Sequence, residues 1–431
     1  MSPTKRSRRT GFTLFLSALK VRPVLVFLCL MLWGPLYRSA LDKIWVVVGN
    51  LSLLGQWAQL QSVIDLIAAP NALSIGIGLT VLTAQSSKTK HVALLKVGYL
   101  LGLMITAPIG LATFIAGPPI AQWLGLEIGE PTPFSLACAC GLLSTPIALV
   151  TGYWLGQNQR VKVLGLLVLT NVPVVMLLIA GGYLNWTSLI EKALLCNIAI
   201  LLLCHGLLVI QLFKHSPFTR SELVAASKPL MHYLPAGFST GLLTPASVFI
   251  GRSTIANHLN WDALGSVTAL WDISAWALNS AQTVLNFYFL PLLSRQVLTA
   301  ELRSQIGKII VWVGLPCLLY FALALIFQND LLHVLYTAQL EISRSTSALF
   351  WVGEFVRILA AIFVIGLYAQ RSTRQIAFWE LFSQPLFTLL LILGFSQSLQ
   401  CIGMSYLVSY TLYAIGCAAG FYWQSKRATR T

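Results

Sequence analysis

Acidic residues are scarce in this chain: its 431 residues include 13 Asp and Glu against 28 Lys and Arg. Charge of either sign makes up only 10% of the sequence, whereas a soluble domain averages about 25%. Polar stretches are short as well, the longest being the first 10 residues, Lys214 to His232 and Gln328 to Thr346. None can build an independent core, which excludes a catalytic domain outside the apolar segments. No stretch resembles a nucleotide-binding loop, so any work the chain does draws on an ion gradient or on consumption of its product. The eight cysteines (Cys29, Cys138, Cys140, Cys196, Cys204, Cys317, Cys401 and Cys417) lie in or beside apolar runs. They lack the paired spacing of zinc sites and of secreted disulfide frameworks, and read as small core side chains. No metal and no cofactor is expected. A small-residue cleavage site is also missing after the apolar run Val24 to Trp33, so the basic start flanks an uncleaved first span.

Apolar length is abundant. The chain is 57% hydrophobic, with a mean hydropathy of +0.78, and its apolar residues fall into about twelve segments. A segment of about 20 residues matches a hydrocarbon thickness of roughly 30 Å, so the chain is expected to be an all-α integral membrane protein. The spans are expected near 23–47, 58–86, 93–117, 134–156, 163–183, 193–213, 233–252, 263–293, 307–328, 347–369, 376–397 and 402–424.

A formal charge of +15 raises the question of nucleic acid, but the charge follows the membrane instead. Basic residues gather on the side of the amino terminus, as in Lys5, Arg6, Arg160, Lys162, Arg371, Arg374 and Lys426. The opposite loops hold Glu127, Glu130, Glu191, Asp262, Asp330 and Glu341. This positive-inside pattern places both termini in the cytoplasm, as an even number of spans requires, and argues against a nucleic-acid partner. The expected organisation is a basic segment (1–22), a six-helix bundle (23–213), a cytoplasmic linker (214–232), a second six-helix bundle (233–424) and a basic tail (425–431). The duplication rests on span count, since no letter-by-letter repeat is evident. Two six-span halves are a recurrent transporter plan, with the substrate site between them. Prolines inside the spans, among them Pro70, Pro108, Pro173, Pro245 and Pro316, break intrahelical hydrogen bonds and fit bent helices around a cavity.

A charge at the centre of a span costs on the order of 2.5 to 3.5 kcal/mol, so each such charge needs a partner, a ligand or water. Arg38 and Asp42 are four apart in the first span, a spacing that permits an intrahelical pair. Glu354 and Arg357 are three apart in the tenth. Asp65 and Asp272 have no opposite charge within one turn and are candidates for ion coupling. Arg252 and Arg357 present guanidinium forks that suit phosphate oxygens. His205 reads as a satisfied core histidine, Lys96 as a lysine snorkelling at a span end, and the tryptophans near span ends, Trp57 included, as an aromatic belt.

The carboxyl half also carries recognisable motifs: Asn260-Trp261-Asp262-Ala263-Leu264-Gly265, Tyr288-Phe289-Leu290-Pro291-Leu292-Leu293-Ser294-Arg295, Val352-Gly353-Glu354-Phe355-Val356-Arg357 and Glu380-Leu381-Phe382-Ser383-Gln384. In order and rough spacing these resemble the O-antigen translocases, and within them the lipid III flippases of the enterobacterial-common-antigen branch. Those proteins belong to the superfamily that includes multidrug and toxic compound extrusion proteins. The likeness covers about residues 230 to 425. It implies two six-helix bundles forming a V, opening alternately to either side. It also implies a flippase moving an undecaprenyl-diphosphate-linked oligosaccharide to the periplasmic leaflet of a bacterial inner membrane, with a glycan polymerase or chain-length regulator as partner.

On the resemblance, Arg252, Glu354, Arg357 and Glu380 match like-charged residues and, with Arg38, are expected to bind substrate. The family's acid in the eighth span aligns near Ala275, one turn after Asp272. An arginine expected near Ala58 is missing, and Asp65 has no counterpart. Three other readings compete: an ion-coupled drug or metabolite exporter of the same superfamily, a membrane-embedded glycan polymerase or ligase, and a non-transporting scaffold.

Overall fold

The computed structural model describes residues 21–86, 88–123, 132–184, 188–213, 220–231, 233–234, 237, 239–285, 289, 293, 299–336, 340–370 and 372–427. The described residues form helices and connecting turns, without a strand. A span in hydrocarbon must satisfy every backbone N–H and C=O internally, and the helix does this within one segment. Twelve rods result among the described residues. We label them α1 (Val21–Val48), α2 (51–85), α3 (Lys88–Trp123), α4 (132–156), α5 (Arg160–Tyr183), α6 (Leu189–Phe213), α7 (239–258), α8 (Trp261–Val284), α9 (299–326), α10 (Arg344–Ala369), α11 (373–392) and α12 (Leu399–Arg427). The first six form one lobe and the last six the other. Together they make the V-shaped, two-bundle membrane fold.

Nine helices among the described residues are long and apolar enough to cross a membrane. α1, α7 and α8 are not among the nine, and these carry Arg38 and Asp42, Arg252, and Asp272. Each of the three helices contacts the opposite lobe, and Arg38, Arg252 and Asp272 find partners there.

Two expected loops are helical. The linker contains Arg220–Met231, which packs on α3, and the connection after α9 contains Gln328–Leu335. Three rods pass through a π-helical turn: Ala72–Gly76 in α2, Ser239–Leu243 in α7 and Ile310–Gly314 in α9. In α7 and α9 that turn ends two residues before Pro245 and Pro316, and in α2 it begins two residues after Pro70. A proline removes an N–H and crowds the preceding turn, and a widened turn is one way to absorb that crowding.

The second span begins at Leu51 rather than near residue 58, because Asn50 Oδ1 caps it by accepting from the Leu53 N–H at 3.0 Å. α8 begins the same way, with Asn260 Oδ1 accepting from the Ala263 N–H at 2.7 Å. These caps expose a repeat that span counting does not reveal. At a constant spacing of 210 residues, Pro35 matches Pro245, Asn50 matches Asn260, Leu54 matches Leu264, Gly55 matches Gly265 and Leu60 matches Leu270.

Contacts between the lobes obey the same symmetry. A Cβ on Gly55 would lie 2.6 Å from the Trp261 carbonyl oxygen, and a Cβ on Gly265 would run into that of Leu51. Each lobe thus offers the other the same glycine against the same carbonyl, an isologous contact about a pseudo-twofold axis. It closes the end of the molecule opposite the chain termini. Lys43 Nζ reinforces that end from the first lobe by donating to the carbonyls of Val334 (2.8 Å) and Tyr336 (2.6 Å). Farther along, Gly237 and Gly241 of the second lobe bring α7 against the backbone of α2 at Ala69 to Ser74. A seam between α2 and α7 therefore runs most of their length. By contrast, the hydrogen bonds and ion pairs between α1 and α8 among the described residues all lie at Arg38 or beyond it.

Candidate functional site

The charged residues of the spans fall into two groups. The first sits on the interlobe surface. On α2, positions 55, 58, 62 and 65 share one helical face, which meets α7 and α8. Arg252 of α7 is buried, 5% exposed. Its Nη1 donates to the Ala58 carbonyl and to Ser62 Oγ at 2.7 Å. Beside it Gln59 Nε2 donates to Ser253 Oγ at 2.6 Å and to the Phe249 carbonyl at 3.2 Å. The guanidinium lies 5.6 Å from the ring centroid of Trp271, a cation–π contact that helps hold a cation away from water.

Arg38 does not use Asp42 as its ion-pair partner, despite the favourable spacing. Its Nε pairs with Asp272 Oδ1 of the other lobe at 2.6 Å, while Trp276 Nε1 donates to Ser39 Oγ at 2.9 Å just beside it. Asp42 (2% exposed) and Asp272 (3% exposed) are both buried and lie near one another. In each carboxyl, Oδ2 is buried and has no hydrogen-bond partner among the described residues. Sequence reasoning left Asp42 out of the site because four residues of helix supplied it with a cation. The repeat explains the geometry: Asp42 is equivalent to Arg252, and Ser62 to Asp272. The contact of Arg252 with Ser62 thus has its symmetry mate in the approach of Asp42 to Asp272.

Asp65 accepts from Gln61 Nε2 at 3.2 Å. It follows Ser62 by one turn on the face toward the second lobe and is solvent-accessible in the middle of α2. The Arg38 side chain is 40% exposed. Both charges are thus accessible at mid-span depth. Ala58, where the resemblance leads one to expect an arginine, instead supplies a carbonyl to Arg252, and the arginine facing the acid of α8 comes from α1.

The second group lies inside the second lobe. Arg357 Nη1 pairs with Glu354 Oε1 at 3.2 Å, as its spacing predicts, and the guanidinium stacks 5.0 Å from the Tyr410 centroid. The Tyr406 hydroxyl donates to Glu354 Oε2, and that of Tyr410 to Gln384 Oε1 at 2.9 Å. Glu380 ends the first half of the broken α11. It accepts from the Tyr413 hydroxyl at 2.7 Å and from Ser383 Oγ at 3.2 Å. The tyrosines at 406, 410 and 413 share one face of α12. Arg252 and Arg357 are therefore not neighbours, because Trp271 and Tyr406, 6.0 Å apart, stand between them. Arg357 retains 29% side-chain exposure.

Elsewhere, His205 is half-buried rather than a core residue: its Nε2 meets the Tyr99 hydroxyl at 2.6 Å, while its Nδ1 has no partner among the described residues. Lys96 is 6% exposed inside the first lobe rather than snorkelling. Trp57 is 6% exposed and packs on Trp45, with ring centroids 5.0 Å apart, and its helix starts at Leu51 rather than near residue 58. Among the described residues no cluster of histidine, cysteine and carboxylate side chains could hold a metal ion.

This architecture is that of a multi-pass membrane protein with the fold of the MATE transporters of the MOP superfamily. Along 94% of its length and 98% of the other's, it is similar to the inward-facing conformation of a multidrug resistance MATE family transporter, with a TM-score of 0.71 at 14% identity. A MATE protein in the straight conformation matches with a TM-score of 0.64 at 15% identity, covering 95% of this chain and 96% of that one. So does a MOP superfamily transporter from Pyrococcus furiosus, with a TM-score of 0.64, 15% identity and 94% of both chains covered. The Pyrococcus protein has a binding pocket of reverse polarity, which suggests a different function for it. No family model and no curated protein matches the sequence.

Proposed function

We propose that this chain is a flippase that carries an anionic, lipid-linked oligosaccharide, an undecaprenyl-diphosphate glycan by its resemblance, between the leaflets of a bacterial inner membrane. In this reading both termini lie in the cytoplasm, and a cleft between the lobes opens on that side. The observation that carries this reading is Arg38. It spends Nε on Asp272 and stays 40% exposed, so its remaining donors are free to meet a diphosphate, a match that planar guanidinium makes well.

A diphosphate and several sugars stripped of water cost several kcal/mol for each unpartnered polar group. A wet cleft removes that barrier for the headgroup, while the polyprenyl chain stays in lipid at the gap between α1 and α8. Arg252 is held in the seam between α7 and α2 and becomes available as the closed end opens. Arg357 and Glu354, with Glu380, line the glycan side. Asp42 and Asp272 exchange the coupling ion, a proton or sodium, and thereby release Arg38. A glycan polymerase or chain-length regulator would act on the delivered product. The reversed pocket polarity of the Pyrococcus protein is consistent with this fold serving substrates of different charge.

One observation favours export of a cationic solute instead: Asp65 is also accessible at mid-span depth. Proteoliposomes distinguish the two. A fluorescent polyprenyl-diphosphate glycan should become accessible to an outside quencher when the chain is present. Arg38→Gln should slow that by about 10- to 100-fold, the worth of a charge-assisted hydrogen bond at 1.5 to 3 kcal/mol. Pumping of ethidium, without movement of the glycan lipid, refutes the flippase reading.

A further inference from the structure

A second binding surface lies on the outer face of the first lobe. Between α4, α5 and α6 there is an open cavity of about 320 Å³. Its walls are apolar, with Ile147, Leu166, Leu169 and Leu207 prominent, and no acid lines it among the described residues. The rim faces hydrocarbon: Leu169 is 47% exposed and Leu207 56%. Its floor is left open by Gly165, where a Cβ would meet nothing within 4 Å. The one charged group of the described lining is Lys162, whose ammonium lies 5.8 Å from the Trp154 ring centroid at one end of the groove. Lys162 is two residues into α5, at headgroup depth on the side of the chain termini. From there to Leu169 the groove follows two turns of helix, roughly 10 Å.

We propose that this groove binds one anionic phospholipid of the surrounding bilayer, an acyl chain lying along Gly165 to Leu169 and the phosphate held by Lys162. Length, polarity and position select this occupant. A peptide would leave its backbone groups unpaired against these walls. A zwitterionic lipid fills the slot equally well but gives Lys162 a neutralised headgroup. A lysine near an anionic membrane surface is worth about 1 kcal/mol, roughly a five-fold preference.

The test compares phosphatidylglycerol with phosphatidylcholine of identical chains, counted on the purified full-length protein by native mass spectrometry. The unaltered chain should retain its tightest phosphatidylglycerol about five-fold more strongly than phosphatidylcholine. Lys162→Gln should remove that preference while leaving the chain contact. Gly165→Leu, which fills open space, should weaken both lipids. Lys308→Gln, an exposed cation on the same side, should change neither. Equal retention of the two lipids by the unaltered chain overturns the proposal. So does undiminished binding in Gly165→Leu, or a loss in Lys308→Gln as large as in Lys162→Gln.

Discussion

The glycine pair at the closed end permits a prediction of sign as well as size. In an ordinary helix interior, Gly→Ala stabilises by roughly 0.5 to 1 kcal/mol. Gly307 of α9 is such a position, with nothing within 4 Å of an added Cβ, and Gly307→Ala should raise thermal stability. Gly55 and Gly265 should behave oppositely. A methyl on Gly55 would stand 2.6 Å from the Trp261 carbonyl oxygen, against an ordinary contact of at least about 3.4 Å, and the mate on Gly265 is tighter. The obstacle in each case is backbone, which cannot rotate away, so α2 and α8 must part by about 1 Å. Forcing extra atoms into a packed contact costs typically 1 to 3 kcal/mol. Because both substitutions strain one interface, their effects should not add.

A net cost near 2 kcal/mol shifts the balance between closed and open forms about 30-fold. The assay is pulsed dipolar spectroscopy, with spin labels at Val48 and Val334, which are exposed on opposite lobes at that end, in a background lacking the native cysteines. Gly55→Ala with Gly265→Ala should replace the short distance by a longer one. A doubly substituted protein that keeps the short distance and melts higher than the parent would show that the helices do not touch there.

Two further outcomes follow from the charged groups. Asp272→Asn removes the ion-pair partner of Arg38 and one half of the carboxyl pair. Glycan-lipid movement in proteoliposomes should lose its response to an imposed proton or sodium gradient, and an unchanged response would remove Asp272 from coupling. Tyr406→Phe deprives the buried Glu354 carboxylate of a donor, a loss of about 1 to 3 kcal/mol. It should lower the melting temperature, and a variant as stable as the parent would show that Arg357 alone satisfies Glu354.

The reading of this chain as twelve helices in two halves follows from apolar length, because a bilayer fixes how many residues a span must have and forbids unsatisfied backbone. The pairing of Glu354 with Arg357 was legible for a similar reason: residues three apart on a helix are neighbours wherever the helix lies. The capped starts of α2 and α8 were written in Asn50 and Asn260, yet their meaning became visible only when Gly55 and Gly265 were seen to meet the carbonyls of Trp261 and Leu51. Arg38 shows the limit most clearly. Local spacing offered it Asp42, but the packing of α1 on α8 placed Asp272 at its Nε and left two carboxyl groups side by side. Sequence determines which charges are buried in the membrane. Which of them become partners is decided by how two lobes, related by a pseudo-twofold axis, bring distant helix faces together.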